Sequence, residues 1–378
     1  MNMEKIGLIT FCRNNYGSVL QCYATMYFLK RNGYHPVLFE KDSFEEDQPY
    51  IEANKEKYPE FMNDFISFVS SLTSNNKILT DKSMSMIDAF VDQELLPEKH
   101  PLPDMFRIAE TDEYRAFIAG SDQIWNVTLG LVTPFFFLTF APPRKRIALC
   151  PSFGSKSVPS YLREDMRNVL NEYDMLSSRE DEGVDIIRDL TGRNAVRLSD
   201  PSIFLTPQEW RSFAGISETD ERGYLLLHFL NAPNPLAFKT IYSLIQRTGM
   251  KVKCFATRHS EFEGIPGIEN VDGGPREYVQ MIGNAGLVCT DSFHTTMFSL
   301  NLNTDFYAFD RQYVHGVSQI SRLVTVLTHY GLMDRLILTQ EQAANLPPLS
   351  ILYDHEAMKD EERTHISQYL LDALDRCR

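Results

Sequence analysis

Lys5-Ile-Gly-Leu-Ile-Thr-Phe11, Ser18-Val-Leu-Gln-Cys-Tyr-Ala-Thr-Met-Tyr-Phe-Leu-Lys-Arg31 and Pro36-Val-Leu-Phe-Glu40 succeed one another with only short turns between them. The first and third are apolar runs of the length of buried strands. The second sets Leu20, Tyr23, Ala24, Tyr27 and Phe28 on one helical face before Gly33 ends it. Strand, helix and strand in that order predict a βαβ unit and a parallel sheet. The turn Cys12-Arg-Asn-Asn-Tyr-Gly17-Ser18 holds one glycine where the dinucleotide fingerprint needs three. A pyrophosphate cannot approach the backbone in that way, which excludes an NAD or FAD site there.

Outward from this unit, Asp42 to Glu110 is acidic and polar, with Phe61, Phe65, Phe68 and Val69 as one apolar stripe. This predicts a helical insertion over about residues 43–110. Further strands are expected at Phe117–Ala119, Arg146–Cys150, Met175–Ser177 and Ala195–Leu198. After the charged stretch Glu218–Arg222 a second α/β unit follows. Its strands are Tyr224–Phe229, Lys251–Phe255 and Gly286–Thr290, with helices Leu236–Thr248 and Pro275–Asn284 between them. His355–Arg378 reads as a charged amphipathic helix with Ile366, Tyr369, Leu370 and Leu374 apolar. The expected domains are therefore residues 1–205, 206–350 and a terminal helix over 351–378.

A chain of 378 residues, 43% hydrophobic and 23% charged, suits two soluble domains. Its net charge of -14 argues against a general nucleic-acid binder, because phosphate neutralisation needs a basic face. Six cysteines lie scattered without metal-ligand spacing, as expected of reduced, buried thiols in a cytosolic protein, and no metal is expected. Met1–Phe11 has no signal-peptide pattern. Leu131–Ala141, interrupted by Pro134, is too short to span a bilayer.

Two polar clusters follow apolar strands. In Ala119-Gly-Ser-Asp122-Gln123-Ile-Trp125-Asn126, Asp122 reads either as a site carboxylate or as a helix cap. Trp125 is either a flat face for sugar C–H groups or a core residue, while Asn126, Gln123 and Asn15 suit hydroxyl recognition. In Thr290-Asp-Ser292-Phe-His294-Thr295-Thr296 a cap opens a helix whose free N–H groups favour an anion. Ser292, Thr295 and Thr296 add hydroxyls, and His294 is either a base in the first turn or an ordinary capped-helix histidine.

These stretches, with Asn14-Asn-Tyr-Gly-Ser-Val-Leu-Gln21, Arg146-Ile-Ala148, Pro151-Ser-Phe-Gly154, Ser178-Arg-Glu180, Asp200-Pro201 and Gly331-Leu-Met-Asp-Arg335, resemble in number and order the polysaccharide pyruvyl transferase family. The resemblance implies a GT-B-like fold, two Rossmann-like domains facing across a cleft with the C-terminal helix returning to the first. It also implies transfer of pyruvate from phosphoenolpyruvate to two sugar hydroxyls, forming a cyclic ketal and releasing phosphate, with phosphoenolpyruvate as substrate and no further cofactor. Where family members carry Arg-Leu-His at a helix start, this chain has Ser292-Phe293-His294, and Thr295 stands where a common form has glycine. Arg179 matches a family motif associated with donor binding, and Asp122 falls in the family's acidic segment at the cleft. The missing arginine's charge is expected from Arg179, with Arg13, Arg258 or Arg311 as helpers.

Ketal formation needs a proton delivered to carbon and protons taken from hydroxyls, which we assign to His294 on the phosphate side and Asp122 on the sugar side. Arg179 would grip carboxylate or phosphate at two points, or alternatively pair with Glu180 or Asp181. Asp200-Pro201 reads as a turn rather than a ligand site. A galactose-type residue of a lipid-linked repeat unit is the acceptor the family implies, placing the work at the cytoplasmic face of a membrane. Two alternatives stand beside this reading: a nucleotide-sugar glycosyltransferase, and a non-catalytic carbohydrate-binding protein on the same fold.

Overall fold

Short apolar runs that must be buried on both faces build two parallel sheets here, each closed in by helices. The structure, a computed structural model, describes residues 3–41, 52, 79–126, 132–217, 220, 223–311, 320–348 and 355–377. The first sheet contains β1 (Lys5–Ile9), β2 (His35–Glu40), β3 (Glu98–Lys99), β4 (Tyr114–Ala119) and β5 (Arg146–Ala148), in the order β3-β2-β1-β4-β5. A parallel pair, β6 (Ser177–Ser178) and β7 (Val196–Arg197), lies beside it. The second sheet contains β8 (Tyr224–His228), β9 (Val252–Phe255), β10 (Glu269–Val271), β11 (Ala285–Thr290), β12 (Phe306–Phe309) and β13 (Leu336–Ile337). Its order is β10-β9-β8-β11-β12-β13. Both sheets reverse strand order next to their first strand, between β1 and β4 and between β8 and β11. Ligands collect at such switch points beyond the carboxyl ends of the strands.

The expected strands Met175–Ser177 and Ala195–Leu198 are shorter than predicted and stand outside the main ladder. The reason is a side chain. Ser177 Oγ donates to the Ala148 carbonyl (2.6 Å) and accepts from Cys150 N–H (2.9 Å), replacing the backbone bonds that would join β6 to β5. The insertion after β2 is helical at Asp81–Phe90 and Leu102–Glu110, and it also supplies β3 as an edge strand that alternation did not reveal. The predicted stripe Phe61, Phe65, Phe68 and Val69 lies outside the described residues.

The opening helix (Tyr16–Arg31) begins where Asn15 accepts from Gly17 N–H (2.8 Å). It is buried almost all round rather than on one face: Val19, Cys22, Met26 and Leu29 are inside as well as Leu20, Ala24 and Phe28. The turn Pro201–Phe204 and helix Pro275–Asn284 pack on the sides that the first sheet leaves open. One apolar cluster accordingly runs from Ile6, Leu8 and Val19 through Trp210 and Phe298 to Val288 and Leu327.

The C-terminal helix (Glu356–Arg376) ties both units together. Lys359 donates to Asn303 Oδ1 (2.8 Å) at its start, whereas Tyr369 donates to the Ala148 carbonyl (2.9 Å) and Arg115 Nη2 to the Leu374 carbonyl (2.8 Å) farther on. Midway, burial works against ionising Glu362. Contacts with His329, Arg197 and Ser199 outweigh it and hold the carboxyl down at about 2.

Tyr16 carries the seam between the units. Its ring stacks on Tyr278 with centroids 4.6 Å apart and planes 7° from parallel, beside His228 and Phe255. His228 Nδ1 donates to the Phe255 carbonyl (3.0 Å), and burial pulls its pKa down to about 4. An unfolded histidine takes its proton near pH 6.5. The contribution of neutral His228 is therefore complete above that pH and is lost as pH falls towards the folded value. We expect the free-energy gap between the parent protein and His228→Gln, read by urea unfolding, to change by on the order of 3 kcal/mol between pH 7 and pH 4. A gap constant across that window would contradict the assignment.

Candidate active site

The loops after β1, β4 and β5 leave the first sheet through backbone that most residues avoid. Asn14, Asp122 and Cys150 have φ of 64°, 71° and 43°. Such conformations cost free energy and persist only when surrounding contacts hold them. The contacts here are polar. Gln21 Nε2 donates to Thr10 Oγ1 (2.9 Å) and to the Ser18 carbonyl (2.9 Å), and Thr10 Oγ1 donates to the Ser121 carbonyl (2.7 Å). Ser18 Oγ donates to Asp122 Oδ2, and Gln123 N–H donates to Asp122 Oδ1 (2.8 Å). The side chain of Asp122 therefore faces the start of the opening helix.

Arg179 emerges from β6 into this space and is 3% exposed. Its Nη1 donates to Asp200 Oδ2 (2.8 Å), its Nε to Glu180 Oε1 (3.2 Å), and Nη2 lies 3.9 Å from Asp122 Oδ1 without a hydrogen-bond acceptor. Burial alone would weaken the guanidinium charge; Glu180, Asp200 and Asp122 more than restore it. Burial also opposes ionisation of Asp122 and Asp200. His294 and Arg179, joined by the Ser18 hydroxyl and Gln123 N–H at Asp122 and by Ser202 N–H at Asp200, hold both carboxyls below the usual carboxylate range.

From the second unit, Ser292 caps the helix Phe293–Asn301 and delivers His294 to the same cluster. His294 Nε2 is 3.4 Å from Asp200 Oδ2 and 3.5 Å from Arg179 Nη1. The imidazole rests on Gly17: a Cβ there would fall 1.9 Å from Cγ and 2.0 Å from Nδ1. Phe293 turns its ring to Arg179, 4.5 Å from the guanidinium carbon, with Arg322 5.8 Å from the ring centroid. The amino ends of two helices, one from each unit, thus converge on a buried arginine. Such an arrangement favours anions.

With this geometry in place, comparison with known families is direct. The model for polysaccharide pyruvyl transferases matches residues 15–313. The chain belongs to that family. No curated protein matches it. Solved structures share the fold at low identity. The S. aureus MnaA-UDP co-structure is 10% identical with a TM-score of 0.51, the match covering 97% of this chain and 91% of that one. A Listeria monocytogenes protein described as a UDP-N-acetylglucosamine 2-epimerase is 8% identical with a TM-score of 0.50, again over 97% and 91%. At these identities the likeness shows the fold alone: two Rossmann-like domains in the GT-B-like arrangement.

In this pyruvyl transferase family member, the structure brings together Asp122, Arg179 and His294 and separates several other predicted residues from them. Trp125 is 0% exposed, stacks on Phe137 at 5.5 Å and donates Nε1–H to the Phe136 carbonyl (3.3 Å). It is a core residue and offers no face to a sugar. Phe135 and Phe137 are buried too, in turns. Asn126 Nδ2 donates to Gln123 Oε1 (2.7 Å), and both pack against Gly154, while Asn15 serves as the helix cap. Thr295 Oγ1 bonds Tyr278 Oη (2.9 Å) and Thr296 Oγ1 donates to the Ser292 carbonyl (3.1 Å), so both hydroxyls are engaged inside the protein.

Of the proposed helper arginines, Arg13 is held by Glu40, Asp88 (3.2 Å) and Asp92 (2.6 Å), and Arg258 by Asp272 (2.7 Å). Their charge is spent away from the cluster. Arg311 does lie beside the helix start, 3.5 Å from Asp291, and borders a small recess with Phe293 and Arg322. Asp200, read from sequence as a turn, does cap the turn by accepting from Ser202 N–H (3.0 Å), yet its other oxygen sits at the centre of the cluster. Ser18, Gly17 and Ser121 also belong to it; all lie in the motif stretches quoted above, which was the available signal. Among the described residues no group of three or more His, Cys, Asp or Glu side chains is placed to hold a metal ion, and no helix is long and apolar enough to cross a membrane.

Two substitutions test these placements. Trp125→Ala should destabilise the fold by on the order of 3–5 kcal/mol, measured by chemical denaturation, because it empties a core site. A stability change below 1 kcal/mol would return the indole to the surface. Gly17→Ala should lower the melting temperature and displace His294, since the added methyl and the imidazole cannot share that space; an unchanged His294 NMR signal would contradict the contact.

Proposed function

We propose that the protein transfers pyruvate from phosphoenolpyruvate to two hydroxyls of a sugar in polysaccharide biosynthesis. Two C–O bonds form at C2 of the enol phosphate, and the bond from C2 to the phosphate oxygen breaks. One hydroxyl proton is matched by the proton that converts the methylene to a methyl, and the other leaves with phosphate. Arg179 and the two helix amino ends would hold the anionic donor, with Nη2, the guanidinium nitrogen left without an acceptor, donating to it while Asp200 and Glu180 fix its plane. His294 would move the proton on the phosphate side and Asp122 would accept protons from the acceptor hydroxyls. The observation that carries this reading is the buried meeting of Arg179 and His294 from opposite domains, in a chain of this family. A galactose-type acceptor on a lipid carrier, met at the cytoplasmic face of a membrane, is the substrate class we favour.

Phosphate release from phosphoenolpyruvate, with and without galactosides, is the direct test. Acceptor-dependent release is expected, and His294→Ala should reduce it by roughly 10²- to 10⁴-fold. Arg179→Lys should raise the KM for phosphoenolpyruvate, because a lysine keeps the charge but loses the planar group that Asp200 and Glu180 hold with Nη2 free to donate. Turnover of a nucleotide sugar would instead assign the protein to glycosyl transfer. Absence of turnover and of any thermal shift with either donor would leave a carbohydrate-binding role.

A further inference from the structure

The carboxylate of Asp200 is 0% exposed and has no role in the chemistry described so far. Its Oδ1 is fixed by Ser202 N–H at 3.0 Å on the Pro201–Phe204 turn. That turn is clasped between the opening helix and the C-terminal helix. Its Oδ2 meets Arg179 Nη1 at 2.8 Å, Ser121 Oγ at 3.4 Å and His294 Nε2 at 3.4 Å. A carboxylate anchored by one oxygen and shared by an arginine and a histidine through the other fixes the orientation of both. Building on the pyruvyl-transfer reading, we propose that Asp200 is the positioning residue of this site, orienting Arg179 and holding His294 as the tautomer protonated on Nε2.

Two groups compete for Nε2, and the proposed tautomer is the one that sets a proton rather than a lone pair against the carboxylate. His294 Nε2 lies 3.4 Å from Asp200 Oδ2 and 3.5 Å from Arg179 Nη1; when Nε2–H faces the carboxylate, Nη1 keeps Asp200 (2.8 Å) and Ser121 (3.4 Å) as its acceptors. The lone pair is left on Nδ1, which packs against Gly17 at the start of the opening helix. The relation parallels an Asp that orients a catalytic His without itself taking the proton. The titratable groups facing the pair are Arg179, Asp122, Glu180, Cys150 and Tyr278.

The test uses the full-length protein and Asp200→Asn. With phosphoenolpyruvate and a productive acceptor, kcat should fall by about 10²-fold while the KM for phosphoenolpyruvate moves less than about threefold, and the pH profile of kcat should shift. Wild-type kcat in the variant would overturn the proposal, as would a loss confined to KM. The second measurement needs no activity and no variant: ¹⁵N NMR of the parent protein's imidazoles should show His294 protonated on Nε2. A signal protonated on Nδ1 overturns the proposal even if the variant does not fold. The Asp200–His294 assignment therefore stands or falls separately from the donor, since failure of phosphoenolpyruvate turnover in the parent protein sinks only the function on which the kinetic arm rests.

Discussion

Burying a guanidinium is tolerable only if carboxylates and hydrogen-bond acceptors surround it, and the architecture at the carboxyl edge of the first sheet answers that demand for Arg179. Three carboxylates, Asp122, Glu180 and Asp200, reach it from three separate loops. Each loop must then end its strand in a particular way. Asp122 adopts a left-handed backbone, Ser177 gives its hydroxyl to the sheet so that β6 can lead Arg179 inward, and Asp200 caps a turn with one oxygen while sparing the other. Removing one carboxylate leaves charge without a partner, so the loops behave as a set.

The same requirement joins the two domains. His294 comes from the second sheet but finds its partners in the first, and the opening helix occupies the seam with Tyr16 stacked on Tyr278 and Gly17 beneath the imidazole. A helix wedged in this way has little solvent face to keep polar before its last turn, which accounts for apolar residues on most of its sides. The apolar cluster that crosses the seam then makes the relative position of the domains a matter of core packing as well as of surface charge.

Local pattern was enough to read the βαβ opening, the second α/β unit and the placing of Asp122, Arg179 and His294 just beyond apolar strands, because strand period and the polar break after it are sequence-local signals. What escaped depends on distant partners. Nothing near Trp125 announces that Phe137, Phe153 and Tyr173 enclose it. Nor does Arg13 reveal that Glu40 and the helix bearing Asp88 lie in wait. Asp200 failed differently: its turn-forming role was correctly legible, and that sufficient local explanation hid the second role of its other oxygen. β3, two residues long, is made a strand by its neighbour β2 rather than by its own composition.

The charges gathered around Arg179 do not balance. One guanidinium faces three carboxylates among buried side chains, so the two helix amino ends and the hydrogen-bond donors at Ser18, Gln123 and Ser202 offset the remainder. An anion that enters adds to an existing negative surplus. It must displace a carboxylate that then needs another partner. Occupancy of the site is therefore coupled to a rearrangement of the carboxylates, so that the loops bearing Asp122, Glu180 and Asp200 respond to a guest together.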